Sequence, residues 1–244
     1  MVEIMKKMPA LIFDRGMSLP EISVTANYPS TMNGGKDLCH WSREDRKLAA
    51  TVGKLAERVF GRYGKGLVKA ALGESLYEKG EDTYEILTLL ARAKMEAESG
   101  GMTEIAFAAV GLQVRLDTLQ GQIQTATEVL ASFEKSVREQ GAVQLLPNIA
   151  ALQYRLALYQ GDREVVRAWM GQAPDEDREF CILECYRYLT KVRCYLSLGE
   201  YLKAQALLEK LRYYAEKCKR TYIRMEVRLL SAMAKYRTGG EWKG

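Results

Sequence analysis

Apolar residues recur every three or four positions along most of this chain, the spacing that places them on one face of an α-helix. Two consecutive stripes of this kind consist of Ile105, Ala109, Leu112, Leu116 and Leu119, and of Ala126, Leu130, Phe133 and Val137. Neither stripe can be buried by its own helix. The pattern therefore predicts helices that pack in pairs and stack on their neighbours.

The helices begin at Ser42, whose hydroxyl can cap a helix running from about Arg43 to Phe60. Helix pairs then follow. They cover residues 66–79 and 82–99, 103–120 and 122–140, 145–160 and 162–171, and 178–198 and 200–218, and a last helix covers 221–238. Gly171 and Pro174 should cut the second helix of the third pair short.

Glycines mark the turns within these pairs and at the end of the last helix. They stand about 40 residues apart, at Gly80, Gly121, Gly161, Gly199 and Gly239. We expect them to adopt the left-handed conformation at helix ends. The small residues that follow most of them, such as Ala126 and Ala204, should let the two helices of a pair approach closely. The chain is thus predicted to be all-α, a right-handed superhelix of tetratricopeptide-like hairpins with about 40 residues per repeat.

Residues 1–41 differ from this pattern. They hold three of the five prolines, and Ile22, Val24, Ala26 and Tyr28 alternate with polar residues, as in a short extended segment. We expect an irregular N-terminal segment at 1–41 that packs on the first helices, followed by the helical-repeat domain at 42–244.

Composition narrows the classes of function. Thirty-six Lys and Arg against 31 Asp and Glu give a net charge of +5, but the charges are interleaved and form no basic block. One histidine and five cysteines without a CxxC pair predict neither a metal site nor a cofactor, and suggest buried thiols in a reducing cytoplasm. No apolar run could cross a membrane, and no nucleophile–base pair or carboxylate motif suggests an enzyme.

The text of the chain resembles the helical-repeat portion of large bacterial LuxR-type transcription regulators, the group that includes the maltose-regulon activator. The resemblance rests on SLPEISVTANYPSTMNGGKDLCHWSREDRKLA, ESLYEKGEDTYEIL and YRYLTKVRCYLSLGEYLKAQALLEKLRYYAE. It implies a sensor that contacts an inducer or a partner protein. The chain has neither the phosphate loop nor the DNA-binding helix-turn-helix of those regulators, so ATP hydrolysis and direct DNA binding do not carry over.

Three arginines share one position in the repeat. Arg115, Arg155 and Arg193 each stand six residues before a turn glycine, a phase that faces the concave groove of tetratricopeptide-type hairpins. They could form a ladder for an extended anionic ligand. Alternatively, each arginine pairs with a glutamate on an adjacent helix. The candidates for that pairing are Glu74, Glu104, Glu184 and Glu226.

Other candidate groove residues also recur by phase. Tyr77 and Tyr236 stand three residues before a turn glycine, and Asn148 and Tyr186 stand thirteen before one. Aromatic and amide groups on a concave surface suit sugars and peptides. The alternative is that the tyrosines are half-buried packing residues.

Together these features predict a non-catalytic, cytoplasmic sensor or interaction domain of a LuxR-type regulator. Its groove would bind a small-molecule inducer, such as a sugar or an anionic molecule, or a partner protein. DNA would be bound only through a separate helix-turn-helix. The alternative is a free-standing tetratricopeptide-like adaptor that binds a peptide or helix of a partner, for which GGEWKG would be the natural end.

Overall fold

In the computed structural model of the chain, the described residues are 61, 66–78, 80–177, 185–217 and 221–239. These ranges contain nine α-helices and no strand. The helices are α1 Leu67–Glu78, α2 Thr83–Ser99, α3 Thr103–Leu119, α4 Ile123–Glu139, α5 Leu146–Gln160, α6 Arg163–Met170, α7 Cys185–Leu198, α8 Tyr201–Lys217 and α9 Thr221–Arg237. A single 3₁₀ turn, Val143–Leu145, precedes α5.

The helices confirm the fold predicted from the apolar pattern, with ends that mostly differ from the predicted ones by one residue. The exception is the start of α7, because residues 178–184 lie outside the described part of the chain. The N-terminal segment 1–41, its extended stretch and the helix from Arg43 to Phe60 lie outside it too, so the division at residue 41 stays a prediction. No helix among the described residues is long and apolar enough to span a bilayer.

The turn glycines end the helices as predicted. The five have φ between 68° and 83°, the region that a side chain disfavours. At Gly121 the reversal also pairs the free carbonyls of α3, since the Gln122 amide donates to the Asp117 carbonyl at 2.8 Å and the Gly121 amide to that of Thr118 at 3.1 Å. This is the Schellman arrangement of a helix end. Gly101 and Gly141, which join one hairpin to the next, adopt the same conformation.

The chain divides into two compact units, residues 1–145 and 146–244. In the first unit α2 packs against both α1 and α3, and α3 packs against α4. Ala126, the small residue after the turn between α3 and α4, is completely buried. Each helix therefore buries its stripe mainly against the elements next to it in the chain.

In the second unit α5, α7 and α9 are the first helices of successive hairpins, and contacts also join helices that are not adjacent in the chain. Helix α7 contacts both α5 and α9. Helix α8 contacts α7 and α9, its two neighbours in the chain. Val166 and Ala204, five residues after their turn glycines, are both buried. Cys185 and Cys194 are both buried, and burial raises the pKa of Cys194 to about 12.

The third hairpin is the irregular one, as Gly171 and Pro174 predicted. Its second helix, α6, has only eight residues. Trp169 fills the space near its end, buried and stacked on Tyr154 with ring centroids 5.2 Å apart. A single large side chain thus replaces part of the packing surface that a longer helix would supply.

We predict that Gly161→Ala lowers the free energy of unfolding by about 1 kcal/mol. The cause is conformational, because φ is 75° at Gly161 and a Cβ there would meet no atom within 4 Å. Gly171→Ala is the matched control, since Gly171 has a helical φ of −71° and similar free space. Urea denaturation should show that the control is neutral or slightly stabilising. Equal losses in both variants would contradict the conformational argument.

Candidate functional site

Two arginines of the second unit meet at a single carboxylate oxygen. Arg155 on α5 donates from Nη2 to Glu226 Oε1 of α9 at 3.0 Å. Arg193 on α7 donates to the same oxygen from Nη2 at 2.8 Å and from Nε at 3.2 Å. The three first helices of this unit are therefore joined by one ionic cluster. Of the two alternatives open at the level of sequence, the pairing with a glutamate is observed for these two arginines.

The cluster is shielded from solvent. The side chain of Arg155 is 16% exposed, that of Arg193 25% and that of Glu226 27%. The Arg155 guanidinium also lies over the ring of Tyr186, 5.0 Å from its centroid. Burial opposes the charge of Arg155, but Tyr186 and Glu226 outweigh it and raise the pKa of the guanidinium. Among the described residues, the two guanidinium groups of Arg155 and Arg193 thus share the single carboxylate of Glu226.

A cleft of about 440 Å³ opens beside the cluster, lined only by residues of the second unit. Arg155, Arg193 and Arg237 supply its basic groups. Its apolar and aromatic walls consist of Leu158, Tyr159, Leu196, Tyr201, Leu230, Met233 and Tyr236, and Ser197 adds a hydroxyl. A cleft with convergent positive groups and apolar walls is the usual form of a site for a small molecule or peptide segment.

The repeat accounts for most of this lining. Counting back from Gly161, Gly199 and Gly239, the turn glycines of the second unit, gives three equivalent sets of residues. The position six before holds Arg155, Arg193 and Met233, and the position three before holds Leu158, Leu196 and Tyr236. The position two before holds Tyr159, Ser197 and Arg237. All nine line the cleft. The phase argument from sequence therefore found Arg155, Arg193 and Tyr236. Extending it to the position two before each glycine would have found Tyr159 and Arg237, which it missed.

The other predicted site residues lie elsewhere. Tyr186 does not line the cleft, but its ring packs against the guanidinium of Arg155. Asn148, in the first turn of α5, is half-buried, and its Oδ1 has no hydrogen-bond partner among the described residues. Arg115 and Tyr77 belong to the first unit, where the guanidinium lies 4.7 Å from the ring centroid. Whether any of the seven residues binds a ligand stays a prediction.

A second polar cluster in this unit has a structural role. It ties the segment after the short α6 to α7 through Glu176. Lys191 Nζ lies 2.7 Å from Glu176 Oε1 and donates to the Pro174 carbonyl at 2.9 Å, while Tyr195 donates its hydroxyl to Glu176 Oε1 at 2.6 Å. Burial opposes the charge of Glu176, but Lys191 and Tyr195 together lower its pKa. The Lys191 ammonium, the Tyr195 hydroxyl and Glu176 Oε1 all have partners within the cluster, so we assign these groups no ligand.

The stacked hairpins, their left-handed turn glycines and a groove built from first helices define the class: a tetratricopeptide-like helical repeat. The family model described as "MalT-like TPR region" matches residues 88–244, and the chain belongs to this family. No curated protein and no solved structure is significantly similar to the chain. Helical-repeat regions of this kind generally present binding surfaces and do not catalyse reactions. No group of side chains in the described ranges is arranged to hold a metal ion.

We predict that Glu176→Gln lowers the free energy of unfolding at pH 7 by about 2 kcal/mol, because it weakens two charge-assisted hydrogen bonds and leaves the Lys191 charge uncompensated. The folded pKa of Glu176 lies below its unfolded value of about 4.3. Its contribution is therefore complete above that value and is lost as the pH falls through the lower folded pKa. Chemical denaturation should show the difference shrinking below about pH 4.

Glu209→Gln is the control, since Glu209 is 68% exposed in its pair with Arg212 on the surface of α8. Its effect should stay below about 0.5 kcal/mol. A stability difference for Glu176→Gln that is constant down to strongly acidic pH would show that its carboxylate does not carry the effect.

Proposed function

We propose that the chain is the non-catalytic sensor or interaction region of a LuxR-type transcription regulator. In this proposal the cleft of the second unit binds the inducer or a segment of a partner protein. The observation that carries it is the pair of guanidinium groups, Arg155 and Arg193, which line an apolar, aromatic cleft and share one carboxylate, that of Glu226. DNA would be bound by a separate helix-turn-helix, and this region would act in the cytoplasm.

The chemistry of the cleft favours a particular kind of ligand. Guanidinium groups form paired hydrogen bonds with carboxylates and phosphates. Tyr159, Tyr201 and Tyr236 offer flat surfaces for a sugar ring or an apolar side chain. The ligand would therefore combine one anionic group with a ring or apolar body, as a sugar phosphate or an acidic peptide does.

The cluster also suggests how binding could be transmitted. An anionic ligand would compete with Glu226 for the two guanidinium groups. Glu226 is the ionic link from α9 to α5 and α7, so a ligand that replaces it would favour a different packing of α9. Binding would then shift the population between two arrangements of the repeats, and the connected modules would sense the shift.

A free-standing adaptor that binds a peptide in the same cleft is the second candidate. The exposure of Tyr236, whose surface is 79% accessible, favours it, because an open aromatic wall suits a partner larger than a sugar. The gene sequence that follows codon 244 separates the two. A helix-turn-helix encoded there supports the sensor, and a stop codon supports the adaptor.

We predict opposite effects from two changes at the cluster. Arg155→Gln with Arg193→Gln should weaken capture of an anionic probe by at least about tenfold, since charge-assisted hydrogen bonds are lost. Glu226→Gln should strengthen it, because the competing carboxylate is removed. The probes are glucose 6-phosphate and a glutamate-rich peptide, with glucose as the neutral counterpart. Calorimetry gives the affinities, and the rise in melting temperature gives an independent measure.

Arg167→Gln is the matched control, because Arg167 is an exposed arginine on α6 and does not line the cleft. Circular dichroism should show unchanged helicity in every variant. Arg155→Lys keeps the charge but not the planar fork, so it serves if the glutamine variants unfold. Equal affinity in the wild type and the arginine variants, or weaker binding by Glu226→Gln, would overturn the proposed site.

A further inference from the structure

The outer face of α9 carries a row of exposed apolar side chains. Met225 is 59% exposed, Leu229 60%, Met233 47% and Tyr236 79%. They follow the i, i+4, i+8, i+11 spacing of one helical face, and we call them the α9 stripe. The opposite face, made of Ile223, Val227, Leu230 and Ala234, is buried in the unit. Helix α9 is therefore apolar on two faces, of which one is covered.

The repeat shows what normally covers this face. Leu229 stands ten residues before its turn glycine, as do Ala151 in α5 and Leu189 in α7. Both of those residues are buried, Ala151 completely. Ala151 clusters with Val166 and Trp169 of its own second helix and with Cys194 of the next first helix. In earlier repeats the equivalent surface is thus covered by helices, whereas no described helix follows α9.

The charges beside the α9 stripe indicate the partner's chemistry. Arg224, Arg228 and Lys235 lie along one edge of it, and within the described residues none of the three has an ion pair or a side-chain hydrogen bond. Helix α9 has one acidic residue, Glu226, and that carboxylate is held by the two cleft arginines. A second copy of α9 would bring like charges together, which argues against self-association through this face.

We propose that the α9 stripe is the docking surface for an amphipathic helix of a partner protein, with an apolar row and acidic residues beside it. The apolar row would lie over Met225 and Leu229, where internal repeats place their own helices. The acidic residues would face Arg224, Arg228 and Lys235. The stripe is about 16 Å long, equal to about three turns of a partner helix. The α9 stripe is a different surface from the cleft, although Met233 and Tyr236 belong to both.

The test uses the 244-residue chain and two fluorescein-labelled 18-residue helical peptides with identical leucine rows. One peptide carries glutamates on its flanks and the other carries lysines. Fluorescence anisotropy should show the glutamate peptide binding at least tenfold more tightly. Met225→Gln with Leu229→Gln should reduce that affinity by at least tenfold, and Arg228→Glu with Lys235→Glu should reverse the preference between the peptides.

Leu202→Gln is the control, because Leu202 is 77% exposed on α8 and lies outside both the cleft lining and the α9 stripe. It should leave peptide affinity unchanged. Since Met225 and Leu229 do not line the cleft, their loss should remove peptide binding without removing the response to glucose 6-phosphate. A failure of the cleft proposal and a failure of this one therefore give different results.

Several outcomes would overturn the inference. They are absence of binding by either peptide, equal binding of both, or insensitivity to the Met225 and Leu229 changes. A dimer in sedimentation velocity that Leu229→Gln dissociates would mean that a second copy occupies the face. Capture of the chain by vesicles of anionic phospholipid, lost in the same variant while the peptide does not bind, would assign the stripe to a membrane surface.

Discussion

Each helix of this chain carries an apolar stripe that only its neighbours can bury, and the rest of the structure depends on this constraint. Val192 on α7 and Leu207 and Leu211 on α8 are completely buried because α7, α8 and α9 stack in succession. Stability is then close to a sum of small terms between adjacent helices. Helix α9 buries one face in this way and carries exposed apolar side chains, such as Met225 and Leu229, on the other.

The same constraint places the side chains that line the cleft. Because the hairpins of the second unit repeat, the residues two, three and six before Gly161, Gly199 and Gly239 all line the cleft. The repeat fixes where these side chains lie and leaves their identity free. Position six holds arginine in α5 and α7 but methionine in α9. The chemical character of the cleft therefore changes from helix to helix by substitution at equivalent positions of the repeat.

What the sequence could predict follows from the range of each interaction. Helix ends depend on local capping and on glycines such as Gly121, so their positions are nearly correct, and Pro174 signalled the short α6. The ion pair between Arg155 and Glu226 joins residues 71 apart in the chain. Repeat phase placed Arg155 on the concave face, but it could neither decide between a ligand ladder and an ion pair nor choose among four candidate glutamates. Tyr186 illustrates the same limit. It occupies the same position of the repeat as Asn148, but its ring contacts the guanidinium of Arg155. That contact depends on the length of the two side chains and not only on the helix face they share.

In the proposed sensor, the shared carboxylate would do more than link helices. A partly buried ion pair contributes little net stability, since the loss of hydration offsets most of the attraction. Here one carboxylate, that of Glu226, pairs with two guanidinium groups, so within the described part of the chain their positive charge is only half compensated. An anion that enters the cleft would be attracted by these two guanidinium groups. The anion would replace the ion pairs of Glu226, which hold α9 against α5 and α7. Helix α9 contacts fewer described helices than α7 does. A change in its packing would disturb few interfaces, so a modest binding energy could drive it.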